Sequence, residues 1–184
     1  EAEPYLIATA SQLAYMAKMV NTKDDVHHSY AHYKLTSDID LNNIPWTPIG
    51  TFYYGSSMRK ASLNMAFCGY FDGNGKTISN LKITTSETSY HKIFGLFGRV
   101  NQNDSEVRSA IKNLTIVNAD VSSSNSEVAG IGILAGQTYM TNIENCRVSG
   151  KVGGGCSITS ASNPNLPTLY AGGLIGRSYS ATNV

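Results

Sequence analysis

Two aspartates, Asp38 and Asp40, alternate along an extended stretch and so leave one strand face about 7 Å apart. That spacing suits a calcium site or a pair of carboxylates working as acid and base. With no second acidic cluster close by in the sequence, the pair is read as structural, each carboxylate accepting backbone or hydroxyl hydrogen bonds. Asp72-Gly73-Asn74-Gly75 opens like a calcium loop, but Thr77 stands where such a loop needs Gly and Ile83 where it needs a bidentate Glu. The segment is read as a turn. His27, His28 and His32 raise a metal reading because His28 and His32 would share a helix face, yet Asp24, Asp25 and Tyr30 mark the stretch as an exposed polar connection. No Gly-x-Ser-x-Gly elbow occurs, and His91 lacks the context of a catalytic base. No catalytic residue, metal or cofactor is therefore expected.

Binding chemistry is better represented. Thr51-Phe52-Tyr53-Tyr54-Gly55-Ser56-Ser57-Met58-Arg59-Lys60 is an irregular insertion with three aromatics followed by two cations. Tyrosine outnumbers Phe and Trp, 11 against 5 and 1, and its ring offers a sugar or a peptide an apolar face with a polar tip. Binding residues concentrate on loops that project from a stiff scaffold, so Tyr53, Tyr54 and Arg59 are the candidate ligand contacts. The alternative is that Phe52 and one tyrosine fold back over the scaffold wall. Cys68, Cys146 and Cys156 are an odd set without metal spacing; they read as small buried hydrophobes, with a Cys146–Cys156 bridge as the competitor.

Composition narrows the partners. Lys and Arg number 14 against 13 Asp and Glu, which leaves no broad positive field for a phosphate backbone and excludes nucleic acid as a main partner. Hydrophobic residues make up 41% of the chain, but no apolar run reaches the roughly eighteen residues needed to span a bilayer. The start, Glu1-Ala2-Glu3-Pro4, does not look like a signal peptide and could equally be a mature or trimmed end. The 17 glycines, with many Ser, Thr and Asn, favour many short strands.

One helix is expected over 11–20: Leu13, Met16, Ala17 and Val20 fall on one face and Ser11 stands at the N-cap. Tyr33 to Leu41 alternates and predicts a half-buried strand, with Leu35, Ser37, Ile39 and Leu41 inward. Beyond it one phrase recurs: Ile78-Ser79-Asn80-Leu81-Lys82-Ile83, Ile111-Lys112-Asn113-Leu114-Thr115-Ile116 and Ile143-Glu144-Asn145-Cys146-Arg147-Val148, at starts 33 and then 32 residues apart. A second phrase interleaves: Gly95-Leu96-Phe97-Gly98, Gly132-Ile133-Leu134-Ala135-Gly136 and Gly172-Gly173-Leu174-Ile175-Gly176.

In the first phrase the alternation slips at Asn, so the chain bends there; Asn tolerates the left-handed conformation and its amide can bond to an Asn one coil away. Asn80, Asn113 and Asn145 are thus expected to stack as one corner ladder. The glycines serve another corner, where a side chain would collide with the neighbouring turn. Strands recurring once per coil and joined by corners predict an all-β fold, a right-handed parallel β-helix of one domain over 35–184, with 1–34 as an N-terminal cap. Ala181-Thr182-Asn183-Val184 resembles Met140-Thr141-Asn142-Ile143, the start of the previous coil, so continuation beyond Val184 or a covering element is expected.

These residues resemble the GLUG-repeat family of bacterial secreted and surface proteins, found notably in gut Bacteroidetes and in some streptococcal immunoglobulin-A peptidases. The resemblance covers about residues 5 to 184. It is carried by Asp38-Ile39-Asp40-Leu41, Trp46-Thr47-Pro48-Ile49-Gly50, the run from Phe67 through Phe71-Asp72-Gly73-Asn74-Gly75 to Ile78, and the glycine-flanked Leu phrases. The second glycine phrase is shifted in register and the stretch from Thr51 to Ala66 is longer than the usual connection. The resemblance implies an exported module on the bacterial surface, lipid-anchored or otherwise, and supplies no catalytic residues to carry over. The expected function is a non-enzymatic adhesin-like module that offers its flank and loops to a host protein, a glycan or other surface modules. Two alternatives are a polysaccharide-degrading β-helix enzyme and a structural stalk.

Overall fold

A computed structural model describes residues 3–22, 26–51, 66–85, 93–101, 108–123, 130–153, 170–179 and 184. Strand β1 (Tyr5–Ile7) precedes helix α1 (Ala10–Val20) and a single helical turn, α2 (Val26–Ser29). Strands β2 (His32–Leu35) and β3 (Ile39–Asp40) follow, then β4 (Tyr70–Asp72), β5 (Thr77–Ser79), β6 (Lys82–Thr85), β7 (Ile93–Phe94) and β8 (Phe97–Asn101). The next circuit is β9 (Ala110–Lys112), β10 (Thr115–Ser123), β11 (Gly130–Gly132) and β12 (Ala135–Tyr139). The last is β13 (Asn142–Glu144), β14 (Arg147–Gly153), β15 (Tyr170–Gly172) and β16 (Ile175–Tyr179).

The fold is all-β and its sheets are parallel. One sheet is ordered β1-β2-β4-β9-β13 and a second β14-β10-β5-β3 with β6 also on β10; the others are β15-β11-β7 and β16-β12-β8. From β4 onward the chain passes through the four sheets in the same order on every circuit. Apolar positions therefore stack in columns: Tyr33, Phe71, Ile111 and Ile143 in the first sheet, and Ile39, Ile78, Ile116 and Val148 in the second. Phe71, Ile78, Ile111 and Ile116 are fully buried. Each such side chain contributes roughly 1.5–3 kcal/mol of transfer free energy. Phe97 meets Phe67 and Phe71 at ring distances of 5.3 Å, so aromatic bulk fills this part of the core.

Helix α1 buries the face its period predicts, Leu13, Met16, Ala17 and Val20, against the same core. Its cap is Thr9 rather than Ser11: Thr9 Oγ1 accepts from Gln12 N, and Gln12 Oε1 in return accepts from Ala8 N at 2.7 Å. The expected cap segment 1–34 is not separate from the sheets. Strand β1 pairs with β2 within it, and its boundary with 35–184 falls inside β2. The expected strand Tyr33–Leu41 is two strands in different sheets, with a corner at the exposed residues 36–38, so Ser37 does not face inward.

The repeat register also differs from expectation. Ile78 lies opposite Ile116, 38 residues on, and Lys82 opposite Asp120. The partner of Ile78-Ser79-Asn80 is thus Ile116-Val117-Asn118, not Ile111-Lys112-Asn113, whereas Ile111 does pair with Ile143, 32 residues on. One phrase serves two different corners. The Gly73–Lys76 turn absorbs two extra residues in the β4–β5 circuit, closed by Lys76 N donating to Gly73 O, with Asn74 at φ 52° and Gly75 at φ 71°. At the glycine corners the neighbouring circuit comes too near for a side chain: a Cβ on Gly132 would sit 2.6 Å from Gly176 N, and one on Gly98 would sit 2.2 Å from Gly50 O.

Candidate functional site

Asp40 and Asp72 occupy equivalent places at the heads of two ladders. Asp40 Oδ1 accepts from Asn42 N at 2.7 Å and from Asn80 Nδ2 at 2.7 Å, and Asn80 Oδ1 accepts from Asn118. Asp72 Oδ1 accepts from Asn74 N at 2.8 Å and from Asn113 Nδ2 at 3.1 Å, and Asn113 Oδ1 accepts from Asn145 Nδ2 at 3.2 Å. Asn80 thus stands in one column and Asn113 with Asn145 in another, which corrects the single ladder expected. All of these asparagines have φ between 52° and 58°. The Asn80 amide, then the Asn42 backbone amide, hold the Asp40 carboxyl below the ordinary carboxylate range. Asp38 Oδ1 accepts from Thr77 N at 2.8 Å. Both aspartates of the first candidate pair therefore make fold-holding hydrogen bonds.

His27 accepts or donates at Nε2 with Tyr5 Oη at 2.9 Å, His28 stacks on the Tyr5 ring, and His32 meets the Tyr70 ring edge-on at 4.5 Å. Among the described residues no group of three or more His, Cys, Asp or Glu is placed to hold a metal. Cys68 is a buried free thiol whose pKa burial pushes up to about 11; Cys146 is free and half-buried, its thiol also pushed up by burial. Tyr53, Tyr54, Arg59, His91 and Cys156 lie outside the described residues.

Two apolar grooves flank α1. One, of about 490 Å³, runs between α1 and the 41–47 segment and is lined by Ala14, Ala17, Leu41, Ile44, Pro45 and Trp46. The Trp46 indole is pinned there by Nε1 donating to Leu96 O at 3.1 Å. The other, of about 300 Å³, lies on the β1 side among Tyr5, Leu6, Tyr15, Met16 and Met19.

A polar and aromatic surface lies on β12, β15 and β16. Tyr139 and Tyr179 are register partners on adjacent parallel strands, as are Gln137 and Arg177. The Arg177 guanidinium lies 3.9 Å from the centroid of the Tyr179 ring and 4.4 Å from that of Tyr170. Tyr139 and Tyr170 are 40% and 37% exposed, enough for a ligand to reach them. Sequence reading missed this surface because Tyr139 and Tyr179, 40 positions apart, meet only through the strand register, and Tyr170 reaches Arg177 across the corner between β15 and β16. The parallel repeat of the glycine phrases was the signal that could have found it.

No family model matches the chain. It is 31% identical over 184 residues to Halomucin of Haloquadratum walsbyi, matching 99% of this chain and 2% of that protein's length. A solved structure of a Bacteroides ovatus protein, provisionally assigned as an immunoglobulin A1 protease, is similar over 98% of this chain and 55% of its own. The TM-score is 0.59 and the identity 21%, a likeness of fold. The chain thus spans only a small part of the one relative and about half of the other. Among the described residues no helix is long and apolar enough to cross a membrane.

Proposed function

We propose that the chain is a GLUG-type right-handed parallel β-helix module of an extracellular or surface protein, and that it binds a glycan on its flank without turning it over. The observation that carries this reading is the surface where exposed Tyr139 and Tyr170 flank half-buried Arg177 and Tyr179 across two adjoining parallel sheets. Pyranose faces stack on such rings, and Tyr139 and Tyr179 stand at one register position on adjacent strands whose backbones run about 4.8 Å apart. Support for the winding comes from the repeated order of the four sheets, since parallel crossover connections are right-handed in about 98% of cases. The likenesses to Halomucin and to the Bacteroides ovatus protein agree with a surface setting. The engagement of Asp38 and Asp40 in fold-holding bonds favours binding over hydrolysis.

Glycan-array binding run beside a turnover assay on uronic-acid polysaccharides tests the reading. Tyr139→Ala with Tyr179→Ala is expected to lower glycan binding at least tenfold with the fold intact. Polysaccharide cleavage that disappears in Asp38→Ala or Asp40→Ala would overturn it, as would glycan binding unchanged in the double tyrosine variant and lost in Tyr53→Ala with Tyr54→Ala.

A further inference from the structure

Arg177 contacts two aromatic rings. Its central carbon lies over the Tyr179 ring at 3.9 Å and over the Tyr170 ring at 4.4 Å, so two rings hold the guanidinium. Stacking engages the faces of a guanidinium and leaves its N–H groups, which point outward in the plane, free to donate. Among the described residues Arg177 has no ion pair with a carboxylate and no hydrogen bond to a side chain. Gln137, its register partner on β12, is half-exposed and carries an amide that can both donate and accept. Tyr139, the register partner of Tyr179, extends the aromatic surface by one strand.

We infer that this surface takes a carboxylated saccharide, with Arg177 as the specificity residue. The sugar ring lies on Tyr139 and Tyr179, its carboxylate accepts two parallel N–H bonds from the Arg177 fork, and Gln137 meets a ring hydroxyl. This rests on the flank being the glycan surface and deepens it by naming the acid. A neutral sugar would use the rings and leave the cation unpaired. Charge-assisted bidentate bonds are about twice as strong as neutral ones, so the acid group should dominate selectivity. Preorganisation adds to this: the rings already fix the guanidinium, so little side-chain freedom is lost when the ligand arrives.

The test uses the whole chain and matched ligands: oligogalacturonate and sialyllactose, each beside its methyl ester, with dextran sulfate as the sulfated arm. Titration should give at least tenfold tighter binding of one of the acids than of its ester, weakening with added salt. In Arg177→Gln the acid should fall to the level of the ester, and Arg177→Lys should recover only part of the preference. Tyr179→Ala should weaken both forms. Equal binding of acid and ester, with both lost in Tyr179→Ala, would overturn the carboxylate assignment and leave the flank reading standing. Dextran sulfate bound while both acids are not would also overturn it. If none of these ligands and no glycan on an array binds, the flank reading itself falls and takes this inference with it.

Discussion

Asn145 donates its side-chain amide to Asn113 Oδ1 at 3.2 Å, across one circuit of the chain, while Asn113 donates in turn to Asp72. Every bond in both ladders points the same way, from the later circuit to the earlier. The aspartates stand where only an acceptor is needed, and a carboxylate is an acceptor on every lone pair. Asparagine also satisfies the backbone, because it enters the left-handed region at lower cost than other residues with a Cβ.

Asn113 therefore has two roles that substitution can separate. Asn113→Ala loses the ladder bonds and forces alanine to φ 55°, for an expected loss of about 2–3 kcal/mol. Asn113→Gly loses the bonds but suffers no strain, for about 1 kcal/mol. Urea unfolding of both variants checks this, and equal losses would show that the conformation contributes nothing.

Asp40 carries an acid-side dependence. Its folded pKa lies below the ordinary carboxylate value, so its stabilisation is present above the unfolded pKa of about 3.9 and is lost as pH falls through the lowered folded value. Asp40→Asn keeps an acceptor at Oδ1 but cannot titrate. The melting temperature of the unaltered chain should fall more steeply between about pH 4 and pH 2 than that of the variant. Parallel curves would remove the Asn80–Asp40 bond from the account of acid stability.

Gly98 tests the tight corner. Adding a methyl group puts a carbon 2.2 Å from Gly50 O, a backbone atom that cannot swing aside. Gly98→Ala should cost about 2–3 kcal/mol or more, whereas Gly153→Ala, with nothing within 4 Å, should change stability by less than about 0.5 kcal/mol. Thermal unfolding of the two side by side decides it; a benign Gly98→Ala would mean that the circuits can move apart.

Much of the architecture could be read from the residues. The face of α1 followed from its period because burial there depends on the 3.6-residue repeat alone. Its start did not, although Thr9-x-x-Gln12 is a capping-box signal that outranks Ser11. The alternation from Tyr33 to Leu41 carried parity across the bend at residues 36–38, and periodicity cannot tell a strand from two strands joined by a corner of odd length. The ladder was misaligned because the two corners of a circuit demand the same chemistry, an apolar residue, a bend and a left-handed Asn. The clue that separates them is Asn118, set in Ile116-Val117-Asn118-Ala119-Asp120-Val121, where small Ala119 disguises the phrase. The Tyr139, Tyr170, Arg177 and Tyr179 surface was hidden for another reason: the run from Tyr170 to Tyr179 holds three of its residues, but strand pairing alone brings Tyr139 to them.

The shared direction of the ladder bonds also bears on how such a protein can grow. Duplicating a segment after Asp40 or Asp72 requires only one more asparagine in each column, because every carboxamide already offers an oxygen to its successor. Placing a copy ahead of either aspartate would set an acid in the middle of a column with no hydrogen to pass backward, and the chain of bonds would break there. Lengthening by gene duplication is thus permitted on one side of each carboxylate and resisted on the other.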